Sequence, residues 1–196
     1  MDVKEKIYHQ FSQNKGYFFV NAMHSKAEKY QLEKMAHNSE IMRIKKGVYI
    51  DMEHPLFDER VLISQMYPRA VFCLMSSLSI FELTTSLPNA HNIALPRNTK
   101  VSVPDYPNIQ VYYWGDLPYS LGITEMEVTG HKIKNYDVEK SVCDAIKYRG
   151  KIGENITLEV LKNYMQLQNK DLNKLMQYAK LLRIAPITEQ YIKTLL

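Results

Sequence analysis

Eight residues between positions 25 and 46 have side chains suited to gripping a polyanion: Ser25, Lys26, Lys29, Tyr30, Lys34, Arg43, Lys45 and Lys46. Ammonium and guanidinium groups neutralise phosphates, and hydroxyls donate to phosphate oxygens or to the edges of bases. Such chemistry needs the groups held on one surface. Ser25 followed three residues later by Glu28 is a capping box, and about three turns of helix-forming sequence follow it. At 100° per residue, Leu32, Met35 and Ala36 fall on one face, while Lys26, Tyr30, Lys34 and His37 point the other way. After Asn38 come two short strand-like segments, Ile41–Lys45 and Gly47–Ile50, with Gly47 at the tight connection.

The segments before this stretch complete a pattern. Val3, Ile7 and Phe11 recur at i, i+4 and i+8, so residues 2–13 read as an amphipathic helix that ends at Asn14-Lys15-Gly16. Tyr17–Val20 is aromatic and β-branched, and Asn21 is placed to cap a short helix, Ala22–His24. Helix, short helix, longer helix and basic hairpin is the order of a winged helix-turn-helix, which lays its longer second helix in the major groove. A basic three-helix bundle is the rival reading. Charge favours the first. Residues 1–50 carry nine Lys/Arg against five Asp/Glu, whereas residues 51–196 carry sixteen of each, so the whole excess of +4 lies in the segment that would meet DNA.

Asp51-Met52-Glu53-His54-Pro55 interrupts the pattern and predicts a boundary, giving a DNA-binding domain over 1–52 and a second domain over 53–196. In the second domain a helix is expected near Phe57–Met66 and a buried strand within Ala70–Met75. A helix follows, with Ser76 or Ser77 as its cap. Alternating segments at Asn92–Leu95, Ile109–Trp114, Ile123–Val128 and Lys132–Tyr136 predict a small, mostly antiparallel sheet within 70–136. Residues 138–148, 155–168, 171–183 and 187–196 read as four helices. The fold class is therefore α+β: a winged helix-turn-helix, then a larger mixed α/β domain with a small sheet and a helical C-terminus.

Enzymatic chemistry finds little foothold. The six histidines show no H-x-x-x-H spacing, and no His/Cys/acid cluster suggests a metal site or cofactor. Cys73 and Cys143 are distant and set in apolar contexts, which predicts buried thiols in a reducing cytoplasm. Cys143 precedes Asp144, a neighbour that disfavours a thiolate, and Asp144 is expected to cap or to pair with Lys140, Lys147 or Arg149. Arg97 and Lys100 form either a second anion patch or an exposed turn. The N-terminal M-D-V-K-E-K lacks an apolar h-region, and nowhere do eighteen apolar residues run together, so neither a signal peptide nor membrane insertion is expected.

Four segments, in order, resemble the AbiEi antitoxin family. R-I-K-K-G-V-Y (43–49) is similar to that family's wing, a basic strand ending in a Gly-Val-Tyr step. S-S-L-S-I-F-E-L-T (76–84) is similar to its Ser-Ala-Leu-type helix, with Glu82 where the family has Gly. I-A-L-P (93–96) and S-V-C-D-A (141–145) continue the likeness, which spans most of residues 1–150. The resemblance implies the antitoxin of a type IV toxin–antitoxin pair, linked to abortive phage infection. Such a protein represses its own promoter through the winged domain, with two copies expected on an inverted repeat. It also counters a nucleotidyltransferase toxin through the C-terminal domain, without a stable complex. The exposed helix faces carrying Lys162, Lys170, Lys174, Lys180 and Arg183 are where neutralising residues would be sought. Three alternatives stay open: a plain winged-helix regulator using residues 51–196 for sensing or dimerisation, an enzyme, and a protein–protein adaptor that binds no DNA.

Overall fold

A computed structural model describes residues 2–21 and 23–195. Helix α1 (Val3–Gln13) starts from a reciprocal cap in which Asp2 accepts from the Val3 amide and Glu5 accepts from the Asp2 amide at 3.0 Å. Lys15 and Gly16 take positive φ and turn the chain into β1 (Tyr17–Phe19). At Gly16 a Cβ would lie 2.9 Å from the Asp51 carbonyl oxygen, so only glycine fits the turn. Helix α2 (Lys26–His37) and the hairpin β2 (Met42–Lys45) and β3 (Val48–Ile50) follow. All pairings are antiparallel and the strand order is β1-β3-β2, with Phe18 opposite Tyr49 and Met42 opposite Ile50.

This three-stranded sheet is covered on both faces. On one face Phe18 and Tyr49 meet Ile7 and Phe11 of α1 and Leu32 and Met35 of α2. Each such side chain contributes about 1.5–3 kcal/mol by leaving water. On the other face Tyr17, Val48 and Ile50 join a core that continues into the rest of the chain, through Val61, Leu62 and Ile63 of α3 (Glu59–Met66). The turn-rich segment around Asp51–Leu56 is thus crossed by shared apolar packing.

A second sheet has five strands: β4 (Val71–Phe72), β5 (His91–Pro96), β6 (Ile109–Trp114), β7 (Ile123–Val128) and β8 (His131–Tyr136). Its order is β6-β5-β4-β8-β7. The β4–β5 and β7–β8 pairs are antiparallel and the β5–β6 and β4–β8 pairs are parallel, so the sheet is mixed rather than mostly antiparallel. Adjacent residues alternate faces. Phe72, Ile93 and Ile133 face α3 and the small sheet, while Val71, Ala94 and Trp114 face the other way.

Helices fill the opposite side: α4 (Leu74–Ile80), α5 (Asp116–Ser120), α6 (Val138–Lys147), α7 (Arg149–Ile152), α8 (Glu154–Gln166), α9 (Leu172–Leu181) and α10 (Ala185–Leu195). The four long C-terminal helices lie close to where periodicity puts them, and α4, α6, α8 and α9 share a core of Leu78, Val142, Val160, Leu161 and Leu175. No helix among the described residues is long and apolar enough to cross a membrane.

Local expectations differ at three places. The strand sought in Ala70–Met75 is only Val71–Phe72, because Leu74 at φ 45° turns the chain sharply into α4. The cap of α4 is accordingly Cys73. Ser76 lies inside the helix and accepts the Asn92 amide at 2.8 Å, while Ser77 meets the Ser141 hydroxyl at 2.6 Å. The short helix expected at Ala22–His24 is a turn and a bend at Met23 and His24, and Ala22 lies outside the described residues. Asp144 pairs with Lys140, one helical turn earlier, at 2.6 Å.

Candidate nucleic-acid interface

Helix α2 is anchored before it reaches any ligand. The Ser25 hydroxyl accepts from the Glu28 amide at 3.2 Å, and Glu28 accepts from the Ser25 amide at 2.7 Å, completing the capping box. Lys6 of α1 also reaches Glu28, at 2.7 Å. That ammonium, with the two Ser25 contacts, holds the Glu28 carboxyl down to about 2. Leu32 and Met35 fix the inner face, so Lys26, Lys29, Tyr30, Glu33, Lys34 and His37 project outward.

The turn ahead of α2 is pinned as well. The Asn21 side chain accepts from the Met23 amide at 3.0 Å, and the Asn21 amide bonds to the His24 ring nitrogen at 3.0 Å. His24 in turn packs against Phe18, with ring centroids 4.9 Å apart.

On the hairpin, Gly47 at φ 79° makes the turn and its carbonyl accepts from the Val20 amide at 2.8 Å. Arg43 stands opposite Tyr49 and therefore faces α2, where it lies 3.8 Å from Glu33. Between α2 and the hairpin runs a groove of about 420 Å³, lined by Lys29, Glu33, Arg43, Lys46 and Tyr49. Burial raises the Tyr49 phenol above its ordinary range, which keeps it a hydrogen-bond donor there.

Lys45 goes elsewhere. A bulge between Arg43 and Lys45 shifts the register, so Lys45 pairs with Val48 and takes the opposite face. Its ammonium lies 4.6 Å from the centre of the Tyr67 ring, and desolvation there lowers its pKa. The wing expected to offer Arg43, Lys45 and Lys46 together thus presents Arg43 and Lys46 to the groove and turns Lys45 to the body of the protein. Glu33, which sequence reasoning left out, stands among these cations. Its signal was available, since it shares the outer face of the helix with Lys26, Lys29 and Tyr30.

Partners sort the remaining cations. Lys4 is neutralised by Glu40 at 2.8 Å, Lys6 by Glu28, and Lys15 donates to the Thr129 carbonyl. Lys26, Lys29, Lys34 and Lys46 make no ion pair among the described residues. In the C-terminal half, Lys174 is held by Asp137 at 3.0 Å and Glu139 at 3.2 Å, and Lys170 donates to the Leu167 carbonyl. Arg97 and Lys100 are exposed at a turn closed by the Thr99 amide on the Pro96 carbonyl.

Cys73 and Cys143 are free, buried thiols, and burial, reinforced by Asp144, pushes Cys143 up to about 12. Among the described residues no group of three or more His, Cys, Asp or Glu is placed to hold a metal ion. The chain matches no known family model and no curated protein.

Proposed function

We propose that this chain is a DNA-binding antitoxin of the AbiEi kind. In this reading it represses its own promoter through a winged helix-turn-helix over residues 1–52 and counters a nucleotidyltransferase toxin through residues 53–196. It acts in the cytoplasm by binding rather than by catalysis and needs no cofactor. The observation that carries the DNA half is a set of cations with no ion-pair partner among the described residues on one exposed surface: Lys26, Lys29 and Lys34 on α2 and Lys46 on the hairpin, with Arg43 3.8 Å from Glu33 between them. Pairing of Lys4 and Lys6 elsewhere leaves the excess charge of the N-terminal segment concentrated there. The order α1, β1, α2, β2, β3 and the β1-β3-β2 sheet support the winged reading, with a turn and a bend at Met23 and His24 in place of the expected short helix.

In this mode the outer face of α2 enters the major groove, Ser25 and Lys26 meet phosphates at its start, and Lys29, Tyr30 and Lys34 meet backbone or base edges. Arg43 and Lys46 hold phosphate on the flank. Two copies on an inverted repeat give the two-fold site. The toxin half rests on the family resemblance of residues 76–84, 93–96 and 141–145.

The test is a gel shift with the DNA just upstream of the coding sequence, run across a salt series with non-specific competitor. Salt-sensitive, competitor-resistant binding is the expected result, followed by rescue of growth when the chain is co-expressed with a neighbouring nucleotidyltransferase. A folded sample that shifts no DNA at low salt removes the DNA reading, and failure to rescue growth removes the antitoxin half.

A further inference from the structure

We propose that Met23 and Tyr30 select thymine in the DNA taken by this surface, each by packing on a thymine 5-methyl group. This rests on the DNA-binding reading above and names what that site recognises. Two observations carry it.

The first is what α2 lacks. Guanine is read by Arg or Lys and adenine by Asn or Gln, with the forked side chains making paired hydrogen bonds. Residues 26–37 contain no Arg and no Asn, and the single glutamine, Gln31, is only partly exposed. The lysines of the outer face reach phosphates or guanine edges and Glu33 can accept from cytosine, so none of these charged groups reads a thymine methyl. A methyl is read by apolar contact, and the large apolar groups displayed at the start of this face are Met23 and Tyr30.

The second is how the apolar groups are displayed. Met23 is 92% exposed and Tyr30 71% exposed, more than any other large hydrophobic residue among the described residues of the first fifty. Met23 is not on a loose loop. Asn21 and His24 hold its turn by hydrogen bonds to the backbone, and His24 is packed on Phe18. Tyr30 follows in the second turn of α2, with Lys26, Lys29 and Lys34 around it. Charge complementarity identifies the occupant, because exposed apolar groups on and just before a lysine-bearing helix suit a surface that is anionic at its edges and carries methyl groups within. The major groove at A·T pairs has that character.

Replacing thymine by deoxyuridine deletes the methyl and leaves every hydrogen-bonding group in place. The probe is the same upstream DNA, amplified with either thymidine or deoxyuridine triphosphate and titrated with the full chain at one salt concentration. Wild-type protein is expected to bind the uracil form about fourfold more weakly per contacted methyl. Met23→Ala and Tyr30→Ala, both changes at exposed positions, should each lose part of that preference, and the double variant should bind the two DNAs equally. Equal wild-type affinity for both DNAs overturns the inference while leaving DNA binding intact. So does a thymine preference that survives in the double variant. No shift with either DNA is the failure of the underlying reading, and this one falls with it.

Discussion

The Lys45 ammonium lies 4.6 Å over the Tyr67 ring, and so one wing cation belongs to the junction between the small sheet and the protein body. Lys46, its neighbour, has no ion-pair partner among the described residues and lines the groove beside α2. The two should therefore separate in a salt titration of DNA binding. Lys46→Ala is expected to lower the log–log slope by about 1, the signature of a lost phosphate contact, and Lys45→Ala to leave it unchanged. Equal slopes for the two variants would place the DNA on a different surface.

Lys140 and Asp144 form a buried pair, with the ammonium also 4.3 Å from the Trp114 ring and 4.2 Å from the Tyr136 ring. Removing one partner strands a charge in the core. Lys140→Met is expected to lower the unfolding free energy in urea by about 3–5 kcal/mol. Lys140→Met combined with Asp144→Leu should recover much of that loss, since no charge is left to desolvate. A double variant as unstable as the single one would show that the pair's geometry, rather than its charge balance, holds this region.

Tyr17 joins β1 to the start of α3 through one hydroxyl, which donates to the Asp58 carbonyl at 2.8 Å and accepts from the Asp58 amide at 2.7 Å. Tyr17→Phe leaves the ring in its place and both backbone groups without their partner. The expected loss is about 1–3 kcal/mol in thermal or chemical unfolding. A change near zero would mean that water reaches Asp58 in the folded protein.

Glu28 supplies a pH dependence. Its folded pKa, held to about 2 by Lys6 and then by Ser25, lies below the ordinary 4.5, so the unfolded chain binds the proton more tightly. Its stabilisation is complete above about pH 5 and is lost as pH falls toward 2. The difference in urea midpoint between wild type and Glu28→Gln should be constant above pH 5 and shrink steadily below it. A difference independent of pH down to 2 would detach Glu28 from the acid response.

Much of this architecture is written locally. The Ser25–Glu28 box, the apolar spacing of Leu32 and Met35, and the Gly47 turn give α2 and its hairpin their positions from neighbours only a few residues away. The C-terminal helices are legible for the same reason, since Gly153 and Asp171 stand just before α8 and α9. What escapes is non-local or irregular. The bulge that reverses Lys45 follows from pairing with β3, and nothing in R-I-K-K marks it. A period-of-two pattern marks a strand but not its partner's direction, which is why the parallel β5–β6 and β4–β8 pairs are invisible in advance. Cys73 carries no capping side chain, so the entry to α4 is fixed by the burial of Leu74 and the sharp turn there rather than by residue type.

The small sheet, clad by α1 and α2 on one side and by the five-stranded body on the other, makes the N-terminal module a poor cassette. Cut after Met52, it would show water the face carrying Tyr17, Val48 and Ile50. Grafts that move this module to another effector should therefore carry α3 and a matching apolar seat with it, or they will yield sticky, self-associating fusions. The same seat makes the C-terminal body a rigid handle, so whatever orientation α2 adopts on a helix of DNA also sets the heading of everything beyond it.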